Sequence, residues 1–323
     1  MTAVIIPYYQ KEPGILRKAL RSICAQSGIA GAEIIVVDDS SPVPAQSELD
    51  AQPANERFPV TLLHQSNAGP GAARNRALDS LGPASRLVAF LDSDDEWSPD
   101  HLANAERALA AGYDVYFADH LQLRQSVGAF ARAGRIKPAD HPAIAGASFL
   151  HAYRGDMFDQ IVTGNVIGTS TVVYDRAKFS TLRFRPELRM AGEDYLFWME
   201  LAVGGARFAF SSRVEAVYGS GVNVYSASGW GTEGNLRRIL NETQYQKITA
   251  REFPVTPAQA RLLAAKIGEL RTAFVREVIH RLSHRRGLRL ADLTQQLRID
   301  PAIALLAFPI AFRIVLLDRL RAK

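Results

Sequence analysis

The chain of 323 residues contains a single cysteine, Cys24. One thiol excludes a disulfide framework and any cysteine-clustered zinc or iron–sulfur site. No apolar run reaches the roughly 20 residues that cross a bilayer. The opening Met-Thr-Ala-Val-Ile-Ile-Pro lacks the basic region and long apolar core of a secretory signal, so a reducing cytoplasm is expected. Internal repeats and low-complexity tracts are absent. What is present, 47% hydrophobic and 22% charged residues, excludes a mainly disordered or fibrous chain. The length suits one large α/β domain with an appendage, or two modest domains.

The charge is unevenly spread. Residues 1–234 hold 21 basic and 26 acidic side chains, whereas residues 235–323 hold 17 and 7. An acidic part and a basic part with different tasks are expected. A basic tail can meet nucleic acid or an anionic membrane face, and its apolar content favours the membrane over nucleic acid.

The first hundred residues alternate strand and helix signals. Val4-Ile5-Ile6 is an apolar run stopped by Pro7, and Ile15 to Cys24 repeats at helical spacing. Ile34–Val37, Val60–His64 and Leu87–Leu91 read as further strands, with helices expected over Gly71–Leu81 and from Pro99 to about Ala111. Strands flanked by helices imply a mostly parallel sheet covered on both faces. Beyond this, Asp114–Ala118 is a strand and residues 125–160 read as loop-rich. A helix is expected over Tyr195–Val203, and short strands over Arg207–Phe210 and Val214–Tyr218. After Gly234 the chain is mainly helical, with Leu263, Ile267, Leu270, Phe274, Val278 and Leu282 on one face.

In such sheets ligands sit beyond the carboxyl ends of the strands, and that is where the acidic groups fall. Asp92-Ser93-Asp94-Asp95 follows the fourth strand directly. Three carboxylates so close repel one another unless cations or donors neutralise them. A hard divalent cation would accept their oxygens and bridge to a diphosphate; the bland alternative is a solvated turn in which Asp95 or Ser98 caps the next helix. Asp38-Asp39 ends the second strand, where a carboxylate can accept from a base N–H or a ribose hydroxyl, or simply cap a turn. In Asn67 to Asn75, Gly69 and Gly71 permit close backbone approach and Arg74 could pair with a phosphate, although this stretch lacks P-loop spacing. Glu193-Asp194 opens an aromatic helix. Its carboxylates could remove a proton from a bound hydroxyl, or form an ordinary acidic first turn with the aromatics in the core.

Taken in order, Val-Ile-Ile-Pro-Tyr-Tyr-Gln, Val-Val-Asp-Asp-Ser-Ser, Asn-Ala-Gly-Pro-Gly-Ala-Ala-Arg-Asn, Phe-Leu-Asp-Ser-Asp-Asp and Gly-Glu-Asp-Tyr resemble family 2 glycosyltransferases over about residues 1–230. The opening looks particularly like bacterial succinoglycan-type exopolysaccharide glucosyltransferases. The resemblance implies the α/β fold called GT-A, a Rossmann-like mostly parallel sheet flanked by helices, over residues 1–230. Residues 231–323 would form a basic helical C-terminal region. It implies an inverting transferase moving a sugar, glucose above others, from a UDP-sugar to a glycan or lipid-diphosphate-linked acceptor. Carried over, Pro7, Tyr9 and Asp39 line the nucleoside pocket, with Gly69, Arg74 and Ser93 near the nucleotide sugar. Asp92 and Asp94 hold Mg²⁺ or Mn²⁺, Asp94 being the closer ligand. Asp194 is the catalytic base, with Glu193 beside it and Trp198 near the acceptor sugar. Many relatives carry a histidine after the last core strands; here Gly219-Ser220-Gly221-Val222-Asn223-Val224-Tyr225-Ser226 has none.

Ala302–Leu317 is apolar except for Arg313, is interrupted by Pro309, and is followed by Arg319, Arg321 and Lys323. That composition fits a segment lying in a membrane interface at the inner face of a bacterial membrane. The alternative is a helix packed on the domain with its polar side out. Two other classes stay open from the residues: a receiver-type signalling protein with a nucleic-acid-binding tail, and a non-catalytic nucleotide-sugar-binding assembly protein.

Overall fold

The computed structural model describes residues 1–51, 55–222, 229 and 231–321. The chain divides into two compact units, residues 1–186 with 197–222, and residues 187–196 with 223–323.

The first unit opens with β1 (Thr2–Tyr8), α1 (Ile15–Cys24), β2 (Ala32–Asp38), α2 (Ala45–Leu49), β3 (Val60–His64), α3 (Pro70–Ser80) and β4 (Leu87–Phe90). β1 lies between β2 and β4 and pairs in parallel with both, and β3 continues beyond β2. Next come β5 (Glu96–Trp97), α4 (His101–Ala110), β6 (Val115–Leu121), α5 (Ala129–Ala133), β7 (Ala143–Ile144), β8 (Ala147–Ala152) and α6 (Met157–Gly164). β9 (Val173–Asp175), α7 (Glu193–Val203) and β10 (Phe208–Val217) complete it, and the division between units falls within α7. The described strands form one sheet in the order β3-β2-β1-β4-β9-β6-β10-β8-β7, with β5 on the end of β10. It is α/β and mostly parallel, as the alternating pattern implies.

The core explains why these segments take these forms. Leu16, Ala19, Leu20 and Ile23 recur at i, i+3, i+4 and i+7, so α1 buries one stripe. The stripe packs with Val4 and Ile6 of β1, Ile34 and Val36 of β2, and Leu102 and Ala105 of α4. Each buried Val, Leu or Ile among them stabilises the fold by about 1.5–3 kcal/mol. The opposite face carries an aromatic cluster in which Phe184 stacks on Phe197 at 4.2 Å and meets Phe90 edge-on at 5.2 Å.

Three expectations are corrected, and one strand is added. Pro7 does not stop the first strand, which runs to Tyr8 with Pro7 opposite Val37. Ile5 and every second residue face β4, which ends opposite Ile5 at Phe90; the N–H that proline lacks therefore has no strand to meet. Residues 125–160 hold α5, β7, β8 and the first half of α6 rather than loop alone. The two short strands over 207–218 are one strand, β10, irregular between Ser211 and Ala216. β9, at the short Val172-Val173-Tyr174 run, was not among the expected strands; it lies antiparallel between β4 and β6, and Arg86 pairs with Asp175 at its end at 2.7 Å.

The second unit contains α8 (Glu233–Glu252), α9 (Pro257–Ser283), α10 (Leu290–Ile299) and α11 (Ile303–Arg321). Thr256 and Gln259 form a reciprocal capping box at the start of α9, with Pro257 in its first turn. Leu236, Leu240, Phe274, Ile303 and Ile314 share a core. Leu263, Ile267 and Phe274 bury their expected face, but Leu282 is exposed near the helix end. Asp300, at the α10–α11 junction, is fully buried between Lys247 at 2.7 Å and Arg271 at 2.6 Å. Burial pushes its carboxyl up, but the bonds from Arg271 and Lys247 outweigh that and hold it below the usual range.

Candidate active site

The carboxyl ends of β1, β2, β3 and β4 bring the expected residues to one edge of the sheet. Pro7 is buried there and Tyr9 half-buried. The Asp39 N–H donates to the Tyr8 carbonyl at 2.9 Å, tying the end of β2 to that of β1. The Asp39 carboxylate accepts from Gln65 Nε2 at 2.8 Å and from the backbone N–H groups of Ala68 at 2.7 Å and Gly69 at 2.8 Å. It thereby shapes the turn that enters α3, where Gly69 holds φ +92°, a conformation that suits glycine. Asp38 is a turn organiser, accepting from the N–H groups of Ser41 and Ala45.

The acidic turn after β4 closes on itself, the Asp95 N–H donating to the Asp92 carbonyl at 3.0 Å. Its three carboxylates have different surroundings. Asp92 is partly open and pairs at 2.6 Å with the buried guanidinium of Arg74, which lies over the Phe184 ring. Asp94 Oδ2 accepts from the Gly221 N–H at 2.9 Å. Burial, and then the Asp92 charge, push the Asp94 carboxyl above the usual carboxylate range. Asp95 is buried; it accepts from Ser170 Oγ at 2.5 Å and from the Gly219 N–H at 2.9 Å. Burial, then Asp92 and Asp94, push its carboxyl well above that range. The helix-capping alternative for Asp95 therefore does not hold; Asp100 occupies the cap of α4.

Desolvated carboxyls that repel one another are relieved by a hard cation, and Asp92 and Asp94 supply oxygen donors suited to Mg²⁺ or Mn²⁺. Among the described residues no group of three His, Cys, Asp or Glu side chains could hold a metal. The segment after β10, where a histidine is missing, meets the turn through backbone instead. A Cβ on Gly219 would lie 1.7 Å from the Asp94 carbonyl oxygen, and one on Gly221 2.6 Å from Asp94 Cβ. Only glycine allows this approach. Asn223 to Ser226 lie outside the described residues.

Glu193 and Asp194 begin α7 as part of the second unit. Asp194 Oδ1 accepts from the Tyr195 N–H at 2.9 Å, a position where the helix dipole favours the anion. The segment before them is anchored to α8: the Met190 N–H donates to Asn241 Oδ1 at 2.7 Å. Gly192, at φ +91°, passes so near Tyr245 that a Cβ would clash at 2.7 Å. Phe197 and Trp198, farther along α7, belong to the sheet unit. Trp198 is fully buried beside Phe90 and Phe197, so its ring offers no open face to a sugar; this is the core alternative for the aromatics of α7.

The sequence pattern of the group described as "Glycosyl transferase family 2" matches residues 3–177. The chain belongs to that family. As a glycosyltransferase it resembles the succinoglycan biosynthesis protein ExoW of Rhizobium meliloti, with 35% identity covering 69% of this chain and 70% of the relative. In fold it resembles Staphylococcus aureus TarS 1–349 solved with UDP-GlcNAc, with TM-score 0.57 and 18% identity over 94% of this chain and 80% of that one. It is also similar to the mannosyltransferase PcManGT of Pyrobaculum calidifontis, solved with GDP-Man and Mn²⁺, with TM-score 0.56 and 20% identity over 94% and 80%. The receiver-type and binding-only readings are set aside by the family assignment.

Two residues of this glycosyltransferase escaped the sequence reading. Gln10 is buried; its Nε2 donates to Ser93 Oγ at 3.0 Å and its Oε1 accepts from the Val222 N–H at 2.9 Å. Ser170 is fully buried; its Oγ accepts from the Asp92 N–H at 3.0 Å while donating to Asp95. A lone Gln and a lone Ser carry no spacing signal, so neither could be found before the fold was known.

Proposed function

We propose that the enzyme transfers a sugar, glucose above others, from a UDP-sugar to a hydroxyl of a glycan or lipid-diphosphate-linked acceptor in exopolysaccharide biosynthesis, with inversion to a β-glycosidic bond. The observation that carries this reading is the acidic turn at the end of β4. It presents Asp92, paired with the buried Arg74, and Asp94, bonded to the Gly221 N–H, at the strand ends where the Asp39 and Gly69 turn also lies. The succinoglycan biosynthesis protein supports the polymer setting, and the structures solved with UDP-GlcNAc and with Mn²⁺ support donor and metal.

Pro7, Tyr9, Asp39 and Gly69 bind the nucleoside, while Ser93 and Arg74 order the turn that faces the diphosphate. Mg²⁺ or Mn²⁺ held by Asp92 and Asp94 would supply positive charge against the diphosphate. Asp194, with Glu193 beside it, takes the proton of the acceptor hydroxyl as that oxygen bonds to the anomeric carbon. The opposite carbon–oxygen bond breaks, and its electron pair leaves with UDP. Trp198, expected near the acceptor sugar, is core and forms no part of the acceptor surface. No helix among the described residues is long and apolar enough to cross a membrane; the enzyme works as a peripheral protein at the cytoplasmic face of the inner membrane.

The test is UDP release measured across several nucleotide sugars, with and without Mn²⁺. Release from UDP-glucose that depends on the metal is expected. Preference for another UDP-sugar corrects the sugar alone, and no release from any UDP-sugar contradicts the proposal.

A further inference from the structure

The last helix, α11, has two apolar faces. Ile303, Ala307, Ile310 and Ile314 pack with Leu236, Leu240 and Phe274 in the core of the second unit. At about 100° per residue, Leu305, Phe308, Phe312, Val315 and Leu316 fall within an arc of about 100° on the other side. These are open: Leu305 is 82% exposed, Phe308 81% and Phe312 64%. A soluble helix that packs by one face normally turns polar groups outward. An apolar face left outward instead marks a contact surface.

The charge around it selects the partner. Arg313 is exposed on α11, as are Arg298 on α10 and Arg285 and Arg286 in the preceding loop. Residues 235–323 hold 17 basic and only 7 acidic side chains. Five of those acids, Glu242, Glu252, Glu277, Asp292 and Asp300, are already paired with arginine or lysine inside the unit. The surplus outward charge is therefore positive. A second copy of the chain would bring two such surfaces together against their repulsion, whereas an anionic bilayer matches both the apolar stripe and its cations.

We propose that the outward face of α11 docks on anionic lipid, with Leu305, Phe308, Phe312 and Leu316 entering the acyl boundary and Arg313 meeting the headgroups. The inference deepens, and rests on, the peripheral-membrane reading above. α10 and α11 meet at 110°, which suits two helices lying on a surface better than one straight span.

The experiment is flotation of the full chain with vesicles of phosphatidylcholine alone or mixed with phosphatidylglycerol, beside a Phe308→Ser, Phe312→Ser double variant. Both positions are exposed, so the variant should melt like the wild type. The wild type should float with the anionic vesicles, less at high salt, and the variant should bind at least about tenfold more weakly. Equal flotation of both proteins overturns the proposal. So does a wild type that ignores vesicles, or a wild-type dimer that the variant breaks while neither protein floats. UDP release without vesicles is read in parallel. If it persists while flotation fails, the docking face alone is lost; if flotation holds without UDP release, the transfer reading is what fails.

Discussion

Gln10 holds Ser93 through its side-chain amide, Nε2 to Oγ at 3.0 Å, across 83 residues of sequence. The same amide accepts from the Val222 N–H, so one side chain ties the end of β1 to the acidic turn and to the segment after β10. Gln10→Ala leaves a buried hydroxyl and a backbone N–H without that partner, a loss of about 1–3 kcal/mol for each group left unsatisfied. The variant should melt several degrees lower, and its UDP affinity with Mn²⁺ should fall about tenfold because the turn is no longer held. Calorimetry and a thermal melt read both; unchanged UDP binding would remove Gln10 from the site.

His120, at the end of β6, stacks on Tyr218 with ring centroids 4.6 Å apart. Burial, and then Arg132, lower its pKa to about 4. The unfolded chain, with histidine near its usual 6.5, binds that proton more readily. Stability should therefore fall as pH drops from about 6.5 and level off below about 4, a loss on the order of 3 kcal/mol. His120→Phe should flatten this slope. Melting curves across that pH range decide, and identical slopes in both proteins would contradict the assignment.

Asp300 anchors the second unit. Asp300→Ala leaves Lys247 and Arg271 facing each other without their shared carboxylate and should cost about 3 kcal/mol. Denaturant unfolding measures it. A loss below about 0.5 kcal/mol, the size of an ordinary surface change, would show that the pairs do not hold α8, α9 and α10 together.

Asp194→Asn should retain UDP binding while turnover falls by about 10²–10⁴-fold, the usual worth of a general base. Single-turnover kinetics beside UDP calorimetry separates the two. Wild-type turnover in the variant would dismiss Asp194 as the base.

Much of the sheet was legible because Val4–Ile6, Ile34–Val37 and Leu87–Leu91 are apolar runs ending in Pro or Asp-Ser signals, the marks of buried parallel strands. β9 was missed because its short Val172-Val173-Tyr174 run follows the polar Thr169-Ser170-Thr171 and is a strand only through its pairing with β4 and β6. β10 looked like two strands because the polar Ser211, Ser212 and Arg213 interrupt it where its pairing with β6 shifts. In the site, Asp92 and Asp94 stood out since clustered carboxylates demand compensation. Trp198 misled: the residues alone favour core for the aromatics of α7, the acceptor role came from the family resemblance, and the packing of Phe90 and Phe197 around the ring makes it core.

The proposal that Asp94 holds the cation on which the donor depends is tested most directly by titrating UDP into the wild type and Asp94→Ala, each with and without Mn²⁺. Wild-type affinity should rise with Mn²⁺, and the variant should bind weakly and equally in both conditions. A variant that keeps the full Mn²⁺-dependent affinity would contradict it.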